Sequence, residues 1–177
     1  SVFTASALTV PFANLAYNKL IRLKAGAGVD PSEISLEADL AEAMPEVPDS
    51  TTLVFKIRPG VKFQNVAPVN GRPMTAEDVK LSIDAYRSDS RSAMKADNAV
   101  VESVEVVNET TLRVKLKQPM VPLLALSAGH YGWRIMPKEM LDGDQLMTKA
   151  IGTGPYIVDS YEASNRAVFR RNPDYFK

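Results

Sequence analysis

The cleanest alternation of apolar and polar positions runs over residues 51–58. Leu53, Phe55 and Ile57 fall on one side, and Thr52, Val54, Lys56 and Arg58 on the other. That two-residue period predicts a strand with one face in a core, ended by Pro59-Gly60. The same period recurs over 101–107 and 110–117. In the second of these arms Leu112, Val114 and Leu116 alternate with Arg113, Lys115 and Lys117. A β-hairpin turned at Asn108-Glu109 follows. Residues 156–168 predict two further strands turned at Ser164-Asn165. Helical spacing is clearest from Ala76, where Ala76, Val79, Ile83 and Tyr86 share one face. Thr75 precedes them as an N-cap, with Asp78 as an acidic variant of the capping box, so a helix is predicted to about Arg87. Shorter helices are predicted over 11–20, over 36–44 up to Pro45, from Pro119 and Pro122 to Ser127, and from Pro137 to Asp142-Gly143-Asp144. Residues 21–23 read as extended. Loops are expected at 25–31, at Asn70-Gly71-Arg72-Pro73, at 128–133 and at Gly152-Thr153-Gly154-Pro155. Strands and helices mix without strict alternation. The expected fold class is therefore α+β, with helices packed on a largely antiparallel sheet.

Composition narrows the picture. The 177 residues are 45% hydrophobic, enough for a real core in one ordinary domain or two small ones. Lys plus Arg and Asp plus Glu are 21 each, so the chain lacks the basic surplus of a nucleic-acid partner. It has no cysteine, which excludes disulfides, thiolate metal sites and cysteine nucleophiles. No run of about 18 apolar residues could cross a bilayer as a helix. The sequence begins at Ser1 with no visible signal peptide, and reads as a segment cut from something larger.

Local chemistry does not point to an enzyme. His130 is the single histidine, and no Gly-x-Ser-x-Gly elbow accompanies it. One histidine also argues against a zinc site. Asp142-Gly143-Asp144 opens like a calcium loop. The sixth and twelfth positions, however, are Met147 and Thr153, where glycine and glutamate are required. Gly152-Thr153-Gly154-Pro155 leads into a strand, and Pro155 offers no N–H, so a phosphate loop is not expected. Glu37, Asp39 and Glu42 read as a solvated helix face. No catalytic residue, metal or cofactor is therefore assigned. The loop holding His130, Tyr131, Trp133 and Arg134 differs: aromatic and arginine side chains together can wall a small-ligand site or simply fill a core. The pattern alone leaves both open.

Six segments, read in order, resemble extracellular solute-binding proteins of family five, the peptide- and nickel-binding type that serves ABC importers. They are Tyr17-Asn18-Lys19-Leu20, Leu40-Ala41-Glu42, the run from Phe55 through Arg58 and Gly60-Val61-Lys62 to Phe63, Thr75-Ala76-Glu77-Asp78-Val79, Gly152 to Tyr156, and Arg171-Asn172-Pro173-Asp174-Tyr175. One departure is plain: the usual Phe-His-Asp-Gly is here Phe63-Gln64-Asn65-Val66.

The resemblance implies a two-lobed, type II clam-shell fold, like that of periplasmic binding proteins. Residues 1–35 would begin lobe I, 36–150 would form a smaller inserted domain and the return to lobe I, and 151–177 would supply lobe I strands. The opposing lobe would lie outside this chain. It further implies capture of a small solute, with peptide the default, by Tyr17, Asn18, His130, Tyr131, Trp133 and Arg134. Delivery to an ABC permease would follow, by a protein that is monomeric when intact and lies outside the cytoplasmic membrane, associated with it. A chain with only one wall of the site is expected to bind solute weakly. The rival expectation is a stand-alone protein-interaction module.

Overall fold

The computed structural model describes residues 10–30, 33–129, 132–141, 145–162 and 165–177. In chain order these form α1 (Val10–Ala16), β1 (Ile21–Leu23), β2 (Leu36–Ala38), β3 (Glu46–Asp49), β4 (Thr52–Lys56), α2 (Ala76–Ser88), β5 (Val101–Asn108) and β6 (Thr111–Leu116). Then come α3 (Leu123–Ala128), α4 (Lys138–Leu141), α5 (Gln145–Thr148), β7 (Tyr156–Glu162) and β8 (Arg166–Arg171). Among the described residues every strand pairing is antiparallel, so the α+β expectation holds.

The largest sheet has the order β3-β4-β6-β5. Leu53 and Phe55 of β4 sit across from Val114 and Leu112 of β6, and all four are buried. These apolar pairs set the register, because a one-residue slip would send them to the solvent face. The helix α2 covers this side, burying Ala76, Val79, Ile83 and Tyr86. Its start is fixed as the capping box requires: the Asp78 amide donates to Thr75 Oγ1, and the Thr75 amide donates to the Asp78 carboxylate. Asp78 also receives two bonds from Arg72, at 2.6 and 2.8 Å, and one from the Lys138 amide. Arg72 further holds Glu139, which ties α4 to the start of α2.

Residues 36–44 correct the helical expectation. They pair in extended form instead: Leu36 lies opposite Leu23, and the Leu40, Ala41 and Glu42 amides donate to Lys19, Leu20 and Lys56 carbonyls. Leu36, Leu40 and Ala41 mimic helical spacing, but cross-chain partners claimed the backbone. Asp39 accordingly is not on a solvated face; it is 2% exposed. The helix expected over 11–20 ends at Ala16, because residues 17–19 are drawn into pairing with 134–135. The edge strand β3, interrupted by Pro48, and the short α5 had no sequence expectation. The expected turns at Asp142-Gly143-Asp144 and Ser164 lie outside the described residues, in whole or in part.

Candidate functional site

The Tyr17 amide closes the last turn of α1 on the Ala13 carbonyl, and by Lys19 the chain is bridged to Arg134. Asn18 turns to a polar cluster. Its amide nitrogen donates to Asp39 Oδ2 at 2.9 Å, and its amide oxygen accepts from Thr153 Oγ1 at 3.2 Å. Asp39 also accepts from the Lys19 backbone N–H and from Lys177 Nζ. The Tyr17 ring lies beside Gly152, and Lys19 takes a separate partner. Lys19 Nζ donates to the Ala128 carbonyl at 3.3 Å, at the end of α3. Lys19 and Arg134 face each other in an isolated antiparallel bridge. Burial, followed by repulsion from Arg134, lowers the Lys19 ammonium to about 8, with Asp39 opposing the shift. Burial pushes the phenols of Tyr17 and Tyr86 above their ordinary value, and Arg134 partly offsets both.

Two glycines hold this run in place. A Cβ on Gly152 would stand 2.3 Å from the Ala16 carbonyl oxygen, and one on Gly154 would stand 2.5 Å from that of Leu15. Only a residue without a side chain lets the two backbones approach so closely. The Gly154 amide uses the approach to donate to the Ala16 carbonyl at 2.9 Å. Gln64, fully buried, stitches the same junction. Its amide nitrogen donates to the carbonyls of Gly154 and Tyr156, and its oxygen accepts from the Gly152 amide. Asn172 closes the far side by donating to the Gly154 carbonyl. The Gly-Thr-Gly and Asn-Pro motifs thus act as scaffold.

The loop after α3 returns through Gly132, where a Cβ would overlap the Ser127 carbonyl. Trp133 follows, with its indole N–H donating to Asn98 Oδ1 at 2.6 Å. A small hollow lined by Met94, Asn98, Leu126 and Gly132 lies against Trp133. Arg134 Nη2 donates to Asn14 Oδ1.

Of the six residues singled out by sequence, Tyr17, Asn18, Trp133 and Arg134 come together around this junction, and all are buried in this chain. His130 and Tyr131 lie outside the described residues. Sequence reading passed over Lys19, Asp39, Gln64 and Thr153. A lysine next to Leu20-Ile21 was a signal for Lys19. Asp39 was hidden by the helical misreading of its segment.

The family described as bacterial extracellular solute-binding proteins, family 5 Middle, matches residues 35–177. Di/tripeptide-binding protein 2 of Pseudomonas aeruginosa is 28% identical over 173 residues, covering 85% of this chain and 32% of its own. The solute-binding protein MoaA of A. tumefaciens R10, solved with mannopinic acid, superposes with a TM-score of 0.86 at 33% identity, over 99% of this chain and 34% of its own. NikA from Brucella suis, solved with Fe(III)-EDTA, gives 0.82 at 25% identity, over 100% of this chain and 34% of its own. The chain therefore spans about a third of the length of these relatives. The first two are binding proteins rather than enzymes, and the fold is the type II periplasmic-binding-protein fold. With most of its length matched by the family and 99% superposed on a solved solute-binding protein, the chain belongs to the bacterial extracellular solute-binding proteins of family 5.

Proposed function

We propose that this chain forms one wall of the capture subunit of an ABC importer, taking a peptide or similar small solute outside the cytoplasmic membrane and passing it to a membrane permease. The observation that carries the reading is the superposition of 99% of the chain on a solute-binding protein with a TM-score of 0.86. On this reading residues 1–35 and 151–177 belong to lobe I, and 36–150 form the smaller inserted domain and the return. The second lobe comes from chain not included in this sequence. The protein acts as a monomer held at the membrane, and closure is a population shift driven by solute touching both lobes.

The residues proposed for the solute wall are Tyr17, Asn18, His130, Tyr131, Trp133 and Arg134. The burial of Tyr17, Asn18, Trp133 and Arg134 in this chain makes their role one of shaping as much as touching. A thermal-shift screen of the longer protein against dipeptides, tripeptides, opines and metal chelates tests the function. Stabilisation by one class is expected; a flat response to all four overturns the reading. Trp133→Phe removes the indole N–H while keeping a ring. With that solute, an affinity loss of about tenfold, or about 1.4 kcal/mol, is expected. Unchanged affinity with an unchanged melting temperature removes Trp133 from the site.

A further inference from the structure

Among the described residues, Asn70 is the one non-glycine residue in the left-handed region, with a φ of 53°. Asparagine tolerates that conformation better than most side chains. Gly71 follows at 71°, so the pair forms the corner of a tight turn in which the Arg72 amide donates to the Val69 carbonyl. The Asn70 amide is well held by the Val66 carbonyl at 2.9 Å, but the bonds after it are long. Arg72 reaches Val69 at 3.4 Å, and the Gly71 amide reaches the Gln64 carbonyl at 3.3 Å. The Asn70 side-chain amide donates to the Pro68 carbonyl at 3.2 Å. The usual range is about 2.7–3.2 Å. Below the corner the chain is firmer: the Phe63 amide donates to the Arg72 carbonyl at 3.0 Å, and the Met74 amide to the Val61 carbonyl at 2.8 Å. The tip can therefore open while its base stays closed. Asn70 is exposed, and Gly71 has no side chain to shield its nitrogen. Of the eight asparagines in the chain, Asn70 alone precedes a glycine, and Asn18, Asn98 and Asn172 are buried.

We propose that Asn70 is a site of spontaneous deamidation. The deprotonated Gly71 nitrogen attacks the Asn70 side-chain carbonyl carbon, and the new N–C bond closes a five-membered imide. The side-chain nitrogen leaves as ammonia, with the proton that Gly71 gave up returned through solvent. Water then opens the ring at either carbonyl, leaving aspartate or isoaspartate at position 70. Glycine favours the attack because no Cβ crowds the nitrogen. Either product adds a negative charge two residues from Arg72. Isoaspartate also lengthens the backbone between positions 70 and 71, in the turn that bonds the Gln64 carbonyl. The inference is independent of the solute-binding reading.

The test is peptide mapping by mass spectrometry of the folded 177-residue chain, held at neutral and at mildly alkaline pH, with a urea-unfolded sample alongside. Fragmentation separates Asn70 from the nearby Asn65. The expected result is loss of the Asn70 amide ahead of every other asparagine, with both aspartate and isoaspartate as products. The loss should be faster at the higher pH, because the attacking nitrogen must give up its proton. An Asn70 that stays intact in the folded chain overturns the proposal, whether or not the unfolded sample converts. Aspartate without isoaspartate overturns the imide route, since direct hydrolysis of the side chain cannot move the backbone linkage. Asn70→Gln would have to close a six-membered ring, so conversion at position 70 should be lost in that variant, and an equal rate there contradicts the proposal. The measurement on the unsubstituted chain decides the matter even if that variant does not fold.

Discussion

The Lys19 ammonium makes the residue scale measurable through pH. Its ordinary value of 10.5 is lowered to about 8 in the fold. Between those values the unfolded chain binds more protons, so stability rises with pH across that window. Tyr17 and Tyr86 act oppositely: their raised values favour the folded state up to about pH 10, the ordinary phenol value, and that stability is lost as pH rises further. Urea midpoints should therefore climb from pH 8 and turn over near 10, and Lys19→Met should abolish the climb while keeping the turnover. A second expectation concerns Gly154. Adding a methyl there forces carbonyls apart, so Gly154→Ala should cost about 1–3 kcal/mol by urea denaturation, whereas an ordinary surface glycine would tolerate it. The Gly-Thr-Gly motif was visible in the sequence, and its reading as a loop agrees with the structure, where residues 152–155 lie outside any helix or strand. Its real demand, room for the Ala16 backbone, was not visible, because the partner lies more than a hundred residues away.

Elements were legible where local and tertiary preferences agree. The α2 start is such a case: Thr75 and Asp78 announce the cap, and the structure builds it. Thr75→Ala should cost about 1 kcal/mol. Segment 36–44 is the opposite case, since its apolar spacing suited a helix but its amides bond Lys19, Leu20 and Lys56 carbonyls. No local pattern reveals partners so far along the chain. A charged link between elements is the Arg72 fork on Asp78 and Glu139. For Asp78, burial works to raise the carboxyl, but the Arg72, Thr75 and Lys138 bonds outweigh it and hold it below the ordinary range. For Glu139, the Arg72 bonds lower it against a smaller effect of burial. Depressed carboxyls contribute stability above their unfolded values, near 4, and lose it as pH falls through the folded ones. Removing Arg72 leaves Asp78 buried without its cation. Arg72→Met should thus cost about 3 kcal/mol at neutral pH and weaken the acid dependence, as read by urea melts from pH 7 to 3.

The whole molecule brings the candidate site residues to a junction between early and late chain. Ala16, Asn18 and Asp39 meet Thr153, Gly154, Asn172 and Lys177 there, and Trp133 and Arg134 pack alongside. Sequence motifs led to Tyr17, Asn18, Trp133 and Arg134 through family resemblance, while the polar cluster joining them required the fold. The central claim is that this junction is one wall of a two-walled solute site. Titration calorimetry with a single solute, run on residues 1–177 and on the longer protein that contains them, tests it most directly. The account predicts micromolar or tighter binding by the longer protein and affinity at least about a hundredfold weaker, a loss of about 2.7 kcal/mol or more, for the 177-residue chain. Equal, tight binding by both would contradict it.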